Sequence, residues 1–259
     1  MPAPKNTFKA AIAAKRQQIG CWLALGESAG AELMATTGFD WLLIDGEHGP
    51  NDMRSIRDQL VAIAGSDSHP IVRLPIGETR LVKQALDLGA QTVLVPMVDT
   101  AEQARELVRA CRYAPHGIRG MGGTGARVTG FGSYDGYVQN ANDEICLLVQ
   151  AESRAALDNL DDILAVEGVD GVFIGPADLS ADMGFPGKAD APEVVAAIAD
   201  AITRINASDK ASGILTLSEQ GAQTYIDMNV TFVAVGVDTL MLANTARAVS
   251  AKTKAMIKP

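Results

Sequence analysis

The sequence predicts a closed (β/α)₈ barrel, and three observations carry that prediction. From residue 18 onward, short apolar runs alternate strictly with longer helical patterns. Eight such units can be counted, and a chain of 259 residues matches the usual size of one closed barrel. Hydrophobic residues make up 47% of the chain and aromatics only 5%, an aliphatic balance suited to helices packed on buried parallel strands.

The strand candidates, in order, are QIGCWLAL (18–25), FDWLLIDG (39–46), HPIVRLP (69–75), TVLVPMV (92–98), ICLLVQAE (145–152), VDGVFIGP (169–176), SGILTL (212–217) and TFVAVGVD (231–238). Each is too short for a globular helix, and most are rich in β-branched residues. Between them lie helical stretches such as SAGAELMATTG and PEVVAAIADAITRINAS, several opening on Ser, Thr, Asp or Pro. Strict alternation calls for parallel strands, and eight units call for closure. An open doubly wound sheet is the alternative, but LALGESAG after the first strand lacks the G-x-G-x-x-G spacing of its dinucleotide turn. NTFKAAIAAKRQQ reads as an extra helix, capped at Asn6 or Thr7, that covers the amino end of the barrel. No linker or composition break divides the chain, so residues 1–259 are read as one domain. Residues 113–144 form an unusually long connection before the fifth strand; on the face opposite a barrel's active site, such a segment is expected first as an oligomer contact.

A formal charge of -9 disfavours general affinity for nucleic acid or anionic membrane, which are held by clustered Lys and Arg, and points to a small-molecule ligand. No apolar run reaches the length of a membrane span, and AAIAA between Lys9 and Lys15 makes no signal core, so a cytoplasmic protein is expected. The three cysteines, Cys21, Cys111 and Cys146, are far apart in apolar stretches and read as buried free thiols.

In a barrel, polar residues at the carboxyl ends of strands converge on one pocket. That filter selects Asp45, Glu47 and His48 after the second strand, Arg73 in the third, Gln150 and Glu152 at the fifth, and Gly175, Pro176, Ala177 and Asp178 after the sixth. Glu152 and Asp178, from adjacent strands, suit a hard divalent cation such as Mg²⁺ or Mn²⁺; otherwise they are a helix-cap carboxylate and a surface carboxylate. His48, in a Gly-flanked turn, stands where a general base belongs, with Asp45 able to orient its imidazole; the alternative is a turn histidine bonded to backbone. Arg73, in an otherwise apolar strand, needs an anionic partner, either Asp45 or Glu47 or a developing oxyanion. Glu47 binds a water at the metal or simply pairs with Arg73. No lysine projects from a strand end, so Schiff-base chemistry is disfavoured and a metal with Arg73 must stabilise any carbanion beside a carbonyl.

FDWLLIDGEHG, IVRLP, TVLVPMV, GIRG, LLVQAE, VDGVFIGPADLSADMG and VAVGVD together resemble the class II, metal-dependent hydroxyketoacid aldolases, over about residues 7–250. The resemblance implies cleavage or addition of 4-hydroxy-2-oxoacids with pyruvate or hydroxypyruvate as donor and an aldehyde as acceptor. It implies Glu152 and Asp178 as ligands of Mg²⁺, Mn²⁺ or Co²⁺. Gln150 and the backbone around Gly175, Pro176, Ala177 and Asp178 would hold the substrate, and Arg73 would stabilise the enolate. His48 would accept the proton through a water at the metal, with Asp45 close by. Asp87, in LVKQALDLGA, would raise the basicity of a neighbouring subunit's histidine. It further implies a hexamer, a trimer of dimers that exchange the last helix, here TLMLANTARAVSAKTKAMI. LPIGE, LTLSE and TGARVTGFG depart from the family pattern where the acceptor aldehyde should lie. Two other readings follow from the same residues: decarboxylation of an oxaloacetate-type diacid, which leaves the same enolate, and a barrel that binds an oxoacid without turnover.

Overall fold

The structure, a computed structural model, describes residues 3–257. Helix α1 (Thr7–Ala13) precedes β1 (Gln18–Leu23), α2 (Ser28–Met34), β2 (Trp41–Asp45), α3 (Met53–Ile63), β3 (His69–Arg73), α4 (Thr79–Asp87), β4 (Thr92–Val95) and α5 (Ala101–Cys111). After a long connection come α6 (Tyr137–Glu144), β5 (Cys146–Ala151), α7 (Arg154–Asp158), α8 (Leu160–Leu164), β6 (Gly171–Ile174), α9 (Pro176–Asp182), α10 (Pro192–Ala207), β7 (Ala211–Leu215), α11 (Glu219–Asp227), β8 (Phe232–Val237) and α12 (Asp238–Lys254). The eight strands are parallel and close in sequence order, β1 pairing with β8, as the alternation predicts.

Period-two alternation divides each strand between two cores. Leu42, Ile44, Val72, Val93, Leu147, Val149, Val172 and Ile174 face outward and join the layer between strands and helices. Trp22, Trp41, Leu43, Ile71, Leu94, Leu148, Phe173 and Phe232 face inward and fill the barrel itself. Trp22 forms the upper part of this filling, 5.8 Å from Trp41 and 5.3 Å from Phe173 between ring centroids. The same alternation positions the site: continuing Trp41, Leu43 leads to Asp45; continuing Ile71 leads to Arg73; and continuing Leu148 leads to Gln150 and Glu152.

Asn6 caps α1 by accepting from the Lys9 amide, and the helix closes the amino end as expected. Phe8 enters the barrel beneath Trp41 and Phe232 and stacks on His69 at 5.5 Å. His69 Nε2 meets Thr92 Oγ1 at 2.8 Å, and Asn6 Nδ2 donates to the same hydroxyl. Because that oxygen already accepts from Asn6, its proton is free to bond a neutral imidazole nitrogen, and burial lowers the His69 pKa to about 4. The three cysteines are free and buried, and burial raises Cys21 and Cys111 to about 12.

Residues 113–144 contain two 3₁₀ turns (Gly122–Gly125 and Arg127–Thr129) before α6. They pack through a satellite core of Ala3, Tyr113, Val128, Tyr137 and Ala141. Arg127 donates to the carbonyls of Leu60 and Leu88, near the ends of α3 and α4, which fixes this segment to the amino side of the barrel. A groove of about 460 Å³ beside it, lined in part by His69, Arg127, Phe131 and Tyr134, is therefore remote from the carboxyl ends of the strands.

At the other end of the chain, Asp238 is buried and accepts from the amides of Ala24 and Leu25, tying the start of α12 to the end of β1. Beyond that turn the helix is almost wholly exposed, including Leu240, Leu242 and Val249. Among the described residues, no helix is long and apolar enough to cross a membrane.

Candidate active site

Asp45 and Arg73 are register partners at the ends of β2 and β3. Arg73 donates through Nε to Asp45 Oδ1 at 2.9 Å and through Nη2 to Oδ2 at 2.7 Å, and both side chains are buried. A bidentate, charge-assisted pair of this kind holds the guanidinium plane in one orientation. The Arg73 Cζ also lies 5.6 Å from the centre of the Trp22 ring, within cation–π range.

Asp45 also shapes the turn after β2. Its Oδ1 accepts from the backbone amides of Glu47 and His48, at 3.0 and 3.2 Å, and its carbonyl accepts from Asn51 Nδ2. Gly46 lets this turn press against β3: a Cβ there would stand 2.6 Å from the Arg73 carbonyl oxygen. The expectation that Asp45 orients the His48 imidazole is corrected here. The Asp45 carboxylate is taken up by Arg73 and by backbone amides, and so reaches His48 through the main chain. The imidazole itself is largely exposed, and Nε2 faces Glu47 Oε2 at 4.0 Å.

Glu47 pairs with Arg73, its Oε2 standing 2.6 Å from Nη1. That oxygen is buried and off the line of any N–H, so it has a close ionic contact without a hydrogen bond. Burial raises the Glu47 pKa against the attraction of Arg73 and His48, and Asp45 and Asp178 add to the rise.

Across the barrel mouth, Glu152 is 2% exposed. Its Oε1 accepts from the Met97 amide at 2.8 Å and its Oε2 from Gln150 Nε2 at 2.6 Å. Met97 adopts a φ of 55°, a left-handed conformation uncommon for a residue with a side chain, in which its amide reaches this carboxylate. Nothing in the type of residue 97 signals that contact, and reading the sequence missed it. Burial raises the Glu152 pKa, the two donors oppose the rise, and Asp178 and Glu47 add to it. Gln150 Oε1 is buried without a partner. Gly175 caps α9 and a Cβ there would come within 2.2 Å of Glu152 Oε2, so only glycine leaves room for the carboxylate. Pro176 and Ala177 follow in the first turn, and Asp178 is exposed at the third helical position.

The expected strand-end residues are thus brought to one end of the barrel. Asp87 ends α4, which runs back toward the amino face, so it lies away from its own chain's His48. It is half-exposed and pairs with Arg119 Nη2 at 3.3 Å. Arg119, unflagged by the sequence, is buried, 4.4 Å from the Tyr113 ring centre, with Nε and Nη1 unpartnered.

A barrel mouth carrying a bidentate Arg–Asp pair, an accessible histidine and carboxylates on adjacent strands defines a barrel enzyme equipped for proton transfer beside a stabilised oxyanion. The family model for HpcH/HpaI aldolase/citrate lyase matches residues 18–245. The chain is 59% identical to a hydroxypyruvate/pyruvate aldolase of Agrobacterium fabrum, over 98% of this chain and 96% of that one. It is 55% identical to a 4-hydroxy-2-oxo-heptane-1,7-dioate aldolase of Escherichia coli, over 96% and 95%. A crystal structure of an HpcH/HpaI aldolase/citrate lyase family protein from Burkholderia cenocepacia superposes with a TM-score of 0.93 at 36% identity, over 96% of this chain and all of that one. The chain belongs to the HpcH/HpaI aldolase/citrate lyase family. It is a class II aldolase, a carbon–carbon lyase that depends on a divalent metal.

The residues present fit such an ion. Asp45 and Glu47 both contact the permanent cation Arg73, whose best contacts are spent on Asp45, while Asp178 and Glu152 bring further carboxylates near Glu47. Burial raises the pKa of both Glu47 and Glu152, the neighbouring carboxylates add to the rise, and a hard dication would favour the charged forms. Among the described residues, no group of three or more His, Cys, Asp or Glu side chains is gathered to hold a metal. Two protein carboxylates holding an ion would leave coordination positions open to water and substrate.

Proposed function

We propose that this chain catalyses reversible aldol cleavage of 4-hydroxy-2-oxoacids, with pyruvate or hydroxypyruvate as the enolate donor and an aldehyde as the acceptor. The observation that carries the reading is the Arg73 fork, locked by Asp45 and contacted by Glu47, with Asp178 near enough to bear on the ionisation of both Glu47 and Glu152. The names of the relatives from Agrobacterium fabrum and Escherichia coli support the substrate class. Residues 1–259 are read as one aldolase domain, working in the cytoplasm.

In this reading Glu152 and Asp178 hold the ion, which is Mg²⁺, Mn²⁺ or Co²⁺. The chemistry supplied by such an ion is Lewis-acid polarisation of the 2-keto oxygen, which spreads the charge of an enolate. Gln150 Oε1, buried and unpartnered, and Gln150 Nε2 orient the oxoacid beside Glu152, and the backbone of Gly175, Pro176, Ala177 and Asp178 lines its carboxylate end. In the cleavage direction His48 takes the proton of the C4 hydroxyl. The C3–C4 bond breaks, its electron pair passes to C3 and the keto oxygen, and the aldehyde leaves. Arg73 steadies the negative oxygens through the N–H groups that Asp45 leaves free. Protonation at C3 then yields the oxoacid.

Asp87 is read as serving the His48 of a neighbouring subunit, and its position on the amino side of its own barrel supports that. The exposed apolar residues of α12 support an exchanged helix and assembly as a trimer of dimers.

A panel of 4-hydroxy-2-oxoacids, with oxaloacetate alongside, tests the reading through pyruvate release before chelation, after chelation, and after readdition of Mg²⁺, Mn²⁺ or Co²⁺. Release from at least one hydroxyketoacid that is lost and regained with the ion is expected. Failure of every hydroxyketoacid, or a far faster reaction of oxaloacetate alone, would overturn it.

A further inference from the structure

Glu47 makes an unusual contact for a half-buried carboxylate. Arg73 has two kinds of anionic partner: Asp45, through two well-formed hydrogen bonds, and Glu47, through a 2.6 Å approach at Nη1 that lies off the N–H direction. The first partner is also anchored by two backbone amides, whereas no other donor reaches Glu47 Oε2. That same oxygen is 4.0 Å from His48 Nε2, just beyond hydrogen-bond range. One side chain therefore stands between the cation that would meet a substrate anion and the imidazole that would take its proton.

We propose that Glu47 is an exchangeable counterion and a positioning residue: it occupies Arg73 Nη1 in the empty site, gives way to the substrate's anionic oxygen, and moves onto His48. The handover needs only a small side-chain movement, because Oε2 already lies 2.6 Å from Arg73 Nη1 and 4.0 Å from His48 Nε2. It links substrate arrival to the orientation of the base, since the released carboxylate accepts from the protonated imidazole and favours that form. The charged groups bearing on the pair are Asp45 and Arg73 from the ends of β2 and β3, Glu152 beyond β5, Asp178 in α9 and, in the assembly proposed above, Asp87 of a neighbouring subunit beside His48, and the excess of negative charge among them disfavours leaving Glu47 without a cationic partner. No atom or electron is transferred by Glu47 itself. The inference rests on the roles proposed above for His48 and Arg73.

The test is steady-state kinetics of metal-replete Glu47→Gln and Glu47→Asp, with pyruvate as donor and a fixed aldehyde as acceptor, across pH. Glu47→Gln keeps the shape and removes the charge. Its kcat should fall by about tenfold, less than the roughly 10²–10⁴-fold of a group that itself moves the proton, because Glu47 acts through His48. Its KM for pyruvate should fall as well, because a competing anion has been removed from Arg73. The acid limb of kcat, which reports the substrate-bound complex in which Glu47 has moved onto His48, should move to lower pH. Glu47→Asp, which keeps the charge on a shorter arm, should retain the wild-type acid limb with an intermediate kcat. A carboxylate that merely braces the fold would lower the melting temperature and raise KM without moving the pH profile, and that result would overturn the proposal. So would wild-type kinetics in Glu47→Gln. An inactive wild type would instead refute the aldolase reading, so the two failures are distinguishable.

Discussion

Asp45 and Arg73, the last residues of neighbouring parallel strands, meet in register, and Arg73 donates two hydrogen bonds to the Asp45 carboxylate, so the guanidinium at the barrel mouth is aimed by its neighbouring strand. The geometry links stability and chemistry in one contact. Asp45→Ala leaves a buried guanidinium with only the off-line Glu47 beside it, a loss of about 3–5 kcal/mol. The melting temperature should fall on the order of 10 °C, and kcat/KM by about 100-fold or more as the oxyanion partner loses its aim. Calorimetry alongside kinetics checks both, and loss of activity with an unchanged melting curve would separate the two roles.

Gly175 makes a different prediction. An added methyl group would overlap Glu152 Oε2, which has no free side on which to retreat because Met97 and Gln150 hold both oxygens. Gly175→Ala should weaken Mn²⁺ binding, measured by titration calorimetry, by about 10–100-fold, the range seen when a ligand's support is disturbed. Unchanged affinity would exclude Glu152 as a ligand held in this orientation.

His69 governs a pH effect at the opposite end of the barrel. Burial sets its folded pKa at about 4 against a reference of 6.5, so between these values the unfolded chain binds the proton that the folded chain refuses. Its stabilising contribution is complete above pH 6.5 and is lost as the pH falls toward 4, to a total of about 3 kcal/mol. Urea denaturation of the wild type and His69→Gln at a series of pH values should show a shallower fall for the variant over that interval. Parallel curves would contradict the assignment.

Much of this was legible because buried parallel strands leave continuous apolar runs. All eight were found from those runs, and the polar residues that interrupt or end them mark the mouth. The expected strands overran the observed ones, as in 39–46 against Trp41–Asp45, because flanking residues such as Gly46, whose amide still donates to the Arg73 carbonyl, turn away to build the site. Contacts that depend on main-chain atoms were not legible: the Met97 amide on Glu152 has no side-chain signature, and neither does the choice of Asp45 for the backbone of His48 over its ring. Asp87 on a helix reads as an ordinary solvated charge, and only its resemblance to a family position drew attention to it. Its Arg119 partner depends on the packing of a long connection that carries no periodic pattern.

The proposed sharing of sites between subunits predicts complementation. His48→Asn and Asp87→Asn homo-oligomers should each be nearly inactive. Subunits mixed under dissociating conditions and reassembled should recover activity, because some sites then combine an intact His48 with an intact Asp87 from another chain. No recovery in a mixture shown by native mass spectrometry to contain hybrids would place Asp87 outside the site.

The central claim is that this barrel mouth forms the enolate of a 2-oxoacid with the help of a divalent ion, and exchange of the pyruvate C3 protons with D₂O tests it without any acceptor aldehyde. Followed by proton NMR, the methyl signal should decay with metal-replete wild type, persist after chelation, decay again when Mn²⁺ or Mg²⁺ is restored, and persist with His48→Asn or Asp178→Asn. A methyl signal that never decays with the metal-replete enzyme, or that decays equally fast after chelation, would contradict the account.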